Sequence, residues 1–381
     1  MDSRERFAAA CGHLRPDRPP IDYMAGREID TRLRRHLGVS TETELLDALG
    51  ADLYFLSVRD ISQNESCLKL YRGPALYADS RERVCPFGIR YRRDQKEWKF
   101  GADEAIGGAL ENAETPRDVL RFQWPKPEWF DVEVLQQECD ANHRRVIVGG
   151  FWTAIFGNAY RLHGFQRFLM NMALKPELIK TIVRCLTDFY LELNFRLFSA
   201  LRGKLDVFFF GNDFGTQNGL LFSEAMWIDY FKEEYRRIID LAHEFGLKVM
   251  VHSCGAIAPL LPHLIELNVD ILDPVQTTAA GMEAKELKNS FGGSIVFHGA
   301  VDTQNVLPRA TPEEVSEHVR AVSETLGGNG GYILAPCNNI QADTPVENIV
   351  AMYETAKNGR GGAQPPRRKG RKDDPGIEGS G

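Results

Sequence analysis

A basic excess, a long apolar run and a glycine-rich dinucleotide turn are all missing from this chain of 381 residues. The formal net charge is −7, so the electrostatic footprint of a nucleic-acid binder is absent. No stretch reaches the roughly 18 apolar residues of a membrane-spanning helix, and no membrane partner is expected. The N-terminus, MDSRERFAAACGHLRPDRPP, is charged and lacks a secretory apolar core, and the expected location is the cytoplasm. Seven cysteines, odd in number and scattered, do not make a disulfide framework and fit a reducing compartment. Cys11, Cys67, Cys139 and Cys185 read as small buried hydrophobes or bystanders. No G-x-G-x-x-G follows the first strand, which removes support for a dinucleotide site. What is present is ordinary for a globular protein, 43% hydrophobic and 26% charged, long enough for one large barrel or two smaller domains.

The sequence alternates between short apolar runs and amphipathic stretches. Apolar runs at Ile21–Met24, Asp52–Val58, Val146–Phe151, Asp206–Phe210, Val249–Val251, Asp270–Asp273, Ser294–Phe297 and Tyr332–Leu334 read as strands. Helical patterns separate them. The segment from Ser223 to Phe245 repeats Phe231, Tyr235, Ile238, Ala242 and Phe245 at core-face spacing. Thr311-Pro312-Glu313-Glu314 is a helix start with cap, proline and acids in order. About eight strands, most followed by helices, imply a parallel sheet covered on both faces, and eight such units predict an α/β fold of the (β/α)8 TIM-barrel type. An open doubly wound sheet is the rival architecture. Between Leu68 and Phe100, glycine–proline turns and alternating aromatic and basic residues predict a β-hairpin or meander inserted after the second strand. The domain is expected to span residues 1–358. The tail from Gly359 to Gly381 lacks apolar periodicity and reads as disordered and Gly/Pro/basic-rich.

Strand ends collect the chemistry: Asp22 and Arg27, Arg59 and Asp60, Asp213, His252 and Cys254, Asp273, His298 and Asp302, Cys337 and Asn338. In a barrel these share one rim, where functional groups gather. His252 and Cys254 stand two apart and can point the same way from a strand end. Imidazole plus thiolate is a donor set that suits zinc, with Cys337 as a candidate third ligand. The competing reading makes His252 a hydrogen-bonded rim residue and Cys254 a packing residue. Asp213, in Gly-Asn-Asp-Phe-Gly, could be a metal ligand, an outer partner or a general base, against the plain reading of a turn aspartate. Arg27 and Arg59 could clamp a carboxylate, or form structural ion pairs. His298 is a weaker candidate, and His143, His163, His243 and His318 read as surface groups.

Arg18-Pro19-Pro20-Ile21, Gly211-Asn212-Asp213-Phe214-Gly215 and His252-Ser253-Cys254-Gly255 occur in order. They are followed by Phe297-His298-Gly299-Ala300-Val301-Asp302, Gly330 to Pro336 and Thr344-Pro345-Val346-Glu347-Asn348. Together they give the chain, over residues 15–358, a pattern that resembles the uroporphyrinogen decarboxylase superfamily, closer to its cobalamin-dependent methyltransferase branch. The resemblance implies a (β/α)8 barrel. True decarboxylases carry an arginine-rich segment after the first strand; here Met24-Ala25-Gly26-Arg27 keeps one arginine, and Asn338 stands where a Gly-His-Gly histidine is expected. The methyltransferase branch implies zinc held by a His-x-Cys…Cys set, a small-molecule methyl donor or acceptor, and a corrinoid on a partner protein. A homodimer is a further expected assembly. His252 and Cys254 match that set. Cys337 lies about one position before the family's last cysteine, so the third ligand is either Cys337 or Asp213. A decarboxylase of a smaller or tetrapyrrole acid, with Arg27 as anchor and Asp213 as proton handler, is the alternative enzyme. A non-catalytic docking barrel is the alternative outside enzymes.

Overall fold

The computed structural model describes residues 1–57, 69–79, 81–92 and 104–359. Seven parallel strands pair side by side in a curled sheet: β1 (Leu53–Phe55), β5 (Val146–Gly149), β6 (Val207–Gly211), β7 (Lys248–His252), β8 (Ile271–Val275), β9 (Val296–Val301) and β10 (Tyr332–Pro336). Strands next to each other in the barrel sheet are also consecutive within it, with helices between, which is the right-handed βα progression of a TIM barrel. The expected first strand is reduced to single bridges at Ile21 and Ala25. It still closes the ring. Asp22 N–H bonds to the Leu334 carbonyl on one side, and Asp52 N–H bonds to the Ile21 carbonyl on the other. The meander predicted after the second strand is an antiparallel sheet of β2 (Glu82–Val84), β3 (Arg90–Arg92) and β4 (Glu104–Gly107).

Strand alternation sorts the side chains into two separate apolar bodies. Leu53, Val146, Val148, Val207, Phe209, Met250, Ile271, Val296 and Ile333 pack together inside the ring, and Phe7 joins them from the N-terminal helix Ser3–Cys11. The intervening residues, such as Ile147, Phe208, Val249, Leu272 and Phe297, belong to the outer body between strands and helices. Because successive residues face opposite ways, the inward series on β7 runs Met250 then His252, on β8 Ile271 then Asp273, and on β9 Val296 then His298. The period that fills the barrel with hydrocarbon therefore places three titratable groups in its upper layer.

The helices start as their sequences dictate. Thr41, Ser223 and Thr311 each accept an N-terminal backbone N–H through the side-chain oxygen, and Pro312 occupies the first turn after Thr311. No helix among the described residues is long and apolar enough to cross a membrane.

At the opposite end, Asp52 fastens the closing seam. Its buried carboxylate takes hydrogen bonds from Ser3 Oγ, Arg6 Nη1, Arg18 Nη1 and the Ile21 backbone N–H, at 2.6 to 2.8 Å. Asp52→Ala leaves the buried Arg6 without this partner and is expected to cost about 3–5 kcal/mol. Urea denaturation of the variant reads that loss as a lower midpoint with an unchanged slope.

Candidate metal centre

His252, at the last position of β7, has both ring nitrogens engaged. Nδ1 lies 2.5 Å from Asp273 Oδ2, inside the barrel. Nε2 points to the mouth, 3.3 Å from Asp213 Oδ1 and 3.4 Å from Cys254 Sγ. The Trp152 and Phe209 rings lie 5.0 and 6.1 Å from the imidazole, walling one side with apolar surface. The Asp213 side chain is 61% exposed and that of His252 14%, so the site opens to solvent on the Asp213 side.

Two loops build this mouth by pressing against each other. Asp213 Oδ1 accepts the Cys254 backbone N–H at 2.9 Å, and Ser253 Oγ accepts the Phe214 N–H at 3.1 Å. A Cβ at Gly211 would stand 2.2 Å from the His252 carbonyl oxygen, and one at Gly215 2.7 Å from the Cys254 carbonyl oxygen. The glycines flanking Asp213 are there to admit the neighbouring loop.

Behind His252 the polar contacts continue inward. Asp273 Oδ1 lies 2.6 Å from His298 Nδ1, and His298 Nε2 lies 3.0 Å from Asp22 Oδ2. Asp22, Asp273 and His298 are all fully or almost fully buried. His298 faces a carboxylate at each nitrogen, and carboxylates only accept, so both nitrogens carry protons. Burial opposes that charge, but Asp273 and Asp22 outweigh it and raise the imidazole to about 9. Burial likewise opposes a charged His252; Cys254, Asp273 and Asp213 reverse it and lift the ring well above its ordinary value. Burial would raise Asp273, yet the two histidines hold it well below the usual carboxylate range. In the barrel mouth, loss of hydration works against ionisation of Asp213, and the bond to His252 overcomes it and holds the carboxyl down to about 2. Burial pushes the Cys254 thiol up, against the pull of His252.

Among the described residues, Asp213, His252 and Cys254 form the one group of three or more such side chains whose ligand atoms all lie within 4.8 Å of one another. A tetrahedral zinc with bonds of about 2.0–2.3 Å needs donor atoms about 3.3–3.6 Å apart. The two His252 contacts, 3.3 and 3.4 Å, meet that spacing. The Asp273 bond to Nδ1 fixes the tautomer that leaves Nε2 for a metal, an arrangement common to histidine ligands. The residues present therefore fit zinc, with one nitrogen, one sulfur and one oxygen donor.

The other residues singled out from sequence fall elsewhere. Cys337 is buried, its Sγ 3.6 Å from Thr303 Oγ1, and it is not in the group of three. The next residue reaches the site instead: Asn338 Nδ2 donates to Cys254 Sγ at 3.4 Å. Arg27 is exposed at the first position of the helix Arg27–Leu37. Arg59 and Asp60 lie outside the described residues, as do Cys67 and the tail beyond residue 359. Asp302 caps the following turn, accepting the Gln304 and Asn305 N–H groups. Two histidine readings need correction. His163 is fully buried, with Nδ1 on the Leu110 carbonyl and Nε2 on Asn171, because its helix packs under the β4 segment. His298, ranked low from sequence, is the centre of the buried array.

A closed parallel barrel carrying a nitrogen, sulfur and oxygen donor set at the C-terminal rim has the layout of a TIM-barrel enzyme active site. The family model for uroporphyrinogen decarboxylase matches residues 112–359, and the chain belongs to that family. A methyltransferase from Methanosarcina mazei shares the fold, with a TM-score of 0.61 and 17% identity over 94% of this chain and 99% of its own. A D-psicose 3-epimerase solved with D-fructose overlaps 64% of this chain and 84% of its own at 14% identity, with a TM-score of 0.32, too distant to bear on function. No curated protein sequence matches this one.

The charge pattern has a pH signature in the metal-free protein. His298 is raised to about 9, so its contribution to stability is complete below the ordinary histidine value of about 6.5 and is lost as pH rises through about 9. Asp273 and Asp213 are lowered, so theirs is present above about 3.9 and is lost on acidification below it. Thermal melts should show midpoints falling from pH 7 to 9.5. Asp273→Asn strands two buried imidazoles and is expected to cost about 3–5 kcal/mol at pH 6.

Proposed function

We propose that this chain is a zinc-dependent methyltransferase that moves a methyl group between a small substrate and either a thiol or a corrinoid held by a partner protein. The observation that carries the reading is the Asp213–His252–Cys254 group, whose spacing suits one tetrahedral metal. Family membership and the fold shared with the Methanosarcina mazei methyltransferase support it. His252 Nε2, Cys254 Sγ and an Asp213 oxygen hold the metal; an open fourth position would mark it as catalytic. Zinc bound there supplies Lewis acidity, lowering the pKa of a thiol or polarising an ether oxygen at neutral pH.

The remaining work falls to the chain's own groups. Asp273 orients His252. Asn338 donates to the Cys254 sulfur and holds it toward the mouth. Trp152 and Phe209 restrict water on one face of the imidazole. Arg27 and Arg59 are proposed to orient substrate at the rim, and the protein works in the cytoplasm, as a homodimer in this reading. The decarboxylase reading keeps one supporting observation, the contact of Asp213 with a histidine raised well above its ordinary value, which could pass a proton to a carbanion.

Metal content tests the proposal. Purified protein should carry about one zinc per chain, as a single three-ligand site holds. Cys254→Ser should lose it and, with it, thiol-dependent demethylation of methylcobalamin. Because zinc must displace the His252 and Cys254 protons, affinity should fall on acidification. Metal-free protein that releases carbon dioxide from a small acid, unaffected by Cys254→Ser, would establish the decarboxylase instead.

A further inference from the structure

We infer that Asp22 and His298, which touch none of the three candidate ligands, are positioning residues for the metal centre: through Asp273 they hold the His252 ring with Nε2 facing Asp213 and Cys254. The inference rests on the metal-site reading above.

The geometry gives each atom of this array one task. Asp273 has two oxygens and two imidazole partners, Oδ2 for His252 and Oδ1 for His298. Without His298, one oxygen of a fully buried carboxylate loses its donor, and the carboxyl plane is no longer fixed from behind. His298 is held in turn by Asp22 Oδ2. Asp22 cannot swing away, because its Oδ1 accepts the Tyr23 N–H at 2.7 Å, its own N–H bonds Leu334, and its carbonyl accepts the Tyr353 hydroxyl at 3.0 Å. The array thus ties the closing segment at Asp22 to β9, β8 and β7 in sequence, and ends on the candidate ligand.

Energetics argue against a purely structural purpose. The inward positions one step below, Ile271 and Val296, are apolar and pack without polar partners. Replacing a buried ion pair with well-packed hydrocarbon is often neutral or stabilising. Three buried charged groups in a layer that hydrocarbon could fill are a cost, and the benefit they bring is a single orientation of His252. A second-layer carboxylate on a ligand histidine has this effect in metal sites generally; here the layer extends two residues further.

Titration of metal-free protein with Co²⁺, followed by the ligand-field and thiolate-to-cobalt absorption bands, reads the arrangement without an activity assay. His298→Gln cannot bridge both carboxylates, and is expected to weaken Co²⁺ binding about 10–100-fold and to shift the bands. Asp22→Asn should act in the same direction to a smaller degree. Val296→Ala, which opens a cavity in the same strand, should lower stability and leave affinity and spectrum unchanged. If His298→Gln does not fold, Asp22→Asn decides. Folded variants that bind Co²⁺ with wild-type affinity and spectrum overturn the inference and leave the metal site standing. Wild-type protein that takes up no Co²⁺ overturns the metal-site reading itself.

Discussion

Everything at the mouth of this barrel depends on one buried carboxylate. Asp273 accepts an imidazole N–H at each oxygen, and that double bond of contacts sets which nitrogen of His252 faces outward. Burial alone drives both histidines toward the neutral form; Asp273 opposes it at each ring, together with Cys254 and Asp213 at His252 and Asp22 at His298. Burial would raise Asp273 in turn, and the two rings together hold it well below the usual carboxylate range. The groups stand or fall together, so the site behaves as one cooperative polar unit set on a hydrocarbon floor.

The scaffold supplies the rigidity that such a unit needs. Below it, alternate strand residues fill the ring with apolar side chains, with Phe7 joining them from the N-terminal helix. Beside it, Gly211, Gly215 and Gly255 let two strand-end loops touch backbone to backbone, which brings Asp213 and Cys254 together at one imidazole nitrogen. The seam of the ring is the weak place, because the first strand is only a bridge wide. Asp52 compensates at the lower end with two arginines, and Asp22 at the upper end with His298.

Much of this was legible in the sequence. Apolar runs alternating with amphipathic helices pointed to the barrel, and His252-Ser253-Cys254 after Val249–Val251 pointed to two members of the candidate metal group. The meander was visible in its glycine–proline turns. Three things were not legible, each for a physical reason. Ile21–Met24 looks like any other strand, but its pairing is limited to single bridges by partners far away in sequence. Cys337 and Asn338 both follow β10, and only the turn after the strand decides which side chain reaches Cys254. Asp273 and Asp22 lie 25 and 276 positions from His298, the partner they share, and charges spaced so widely carry no local pattern. A usable signal existed: each is a charged residue in the inward register of an otherwise apolar strand, where an unpaired charge would be prohibitive. His163 shows the limit of reading polarity as exposure, since its hydrogen bonds are completed by Leu110 and Asn171 from elements remote in sequence or face.

The most direct test of this account is the zinc-edge X-ray absorption spectrum of the purified protein. One sulfur at about 2.3 Å, with nitrogen and oxygen scatterers at about 2.0–2.2 Å, is the shell that His252, Cys254 and Asp213 provide. A shell with two sulfurs would bring Cys337 into the coordination sphere and contradict the arrangement described here, and protein without zinc would contradict it altogether.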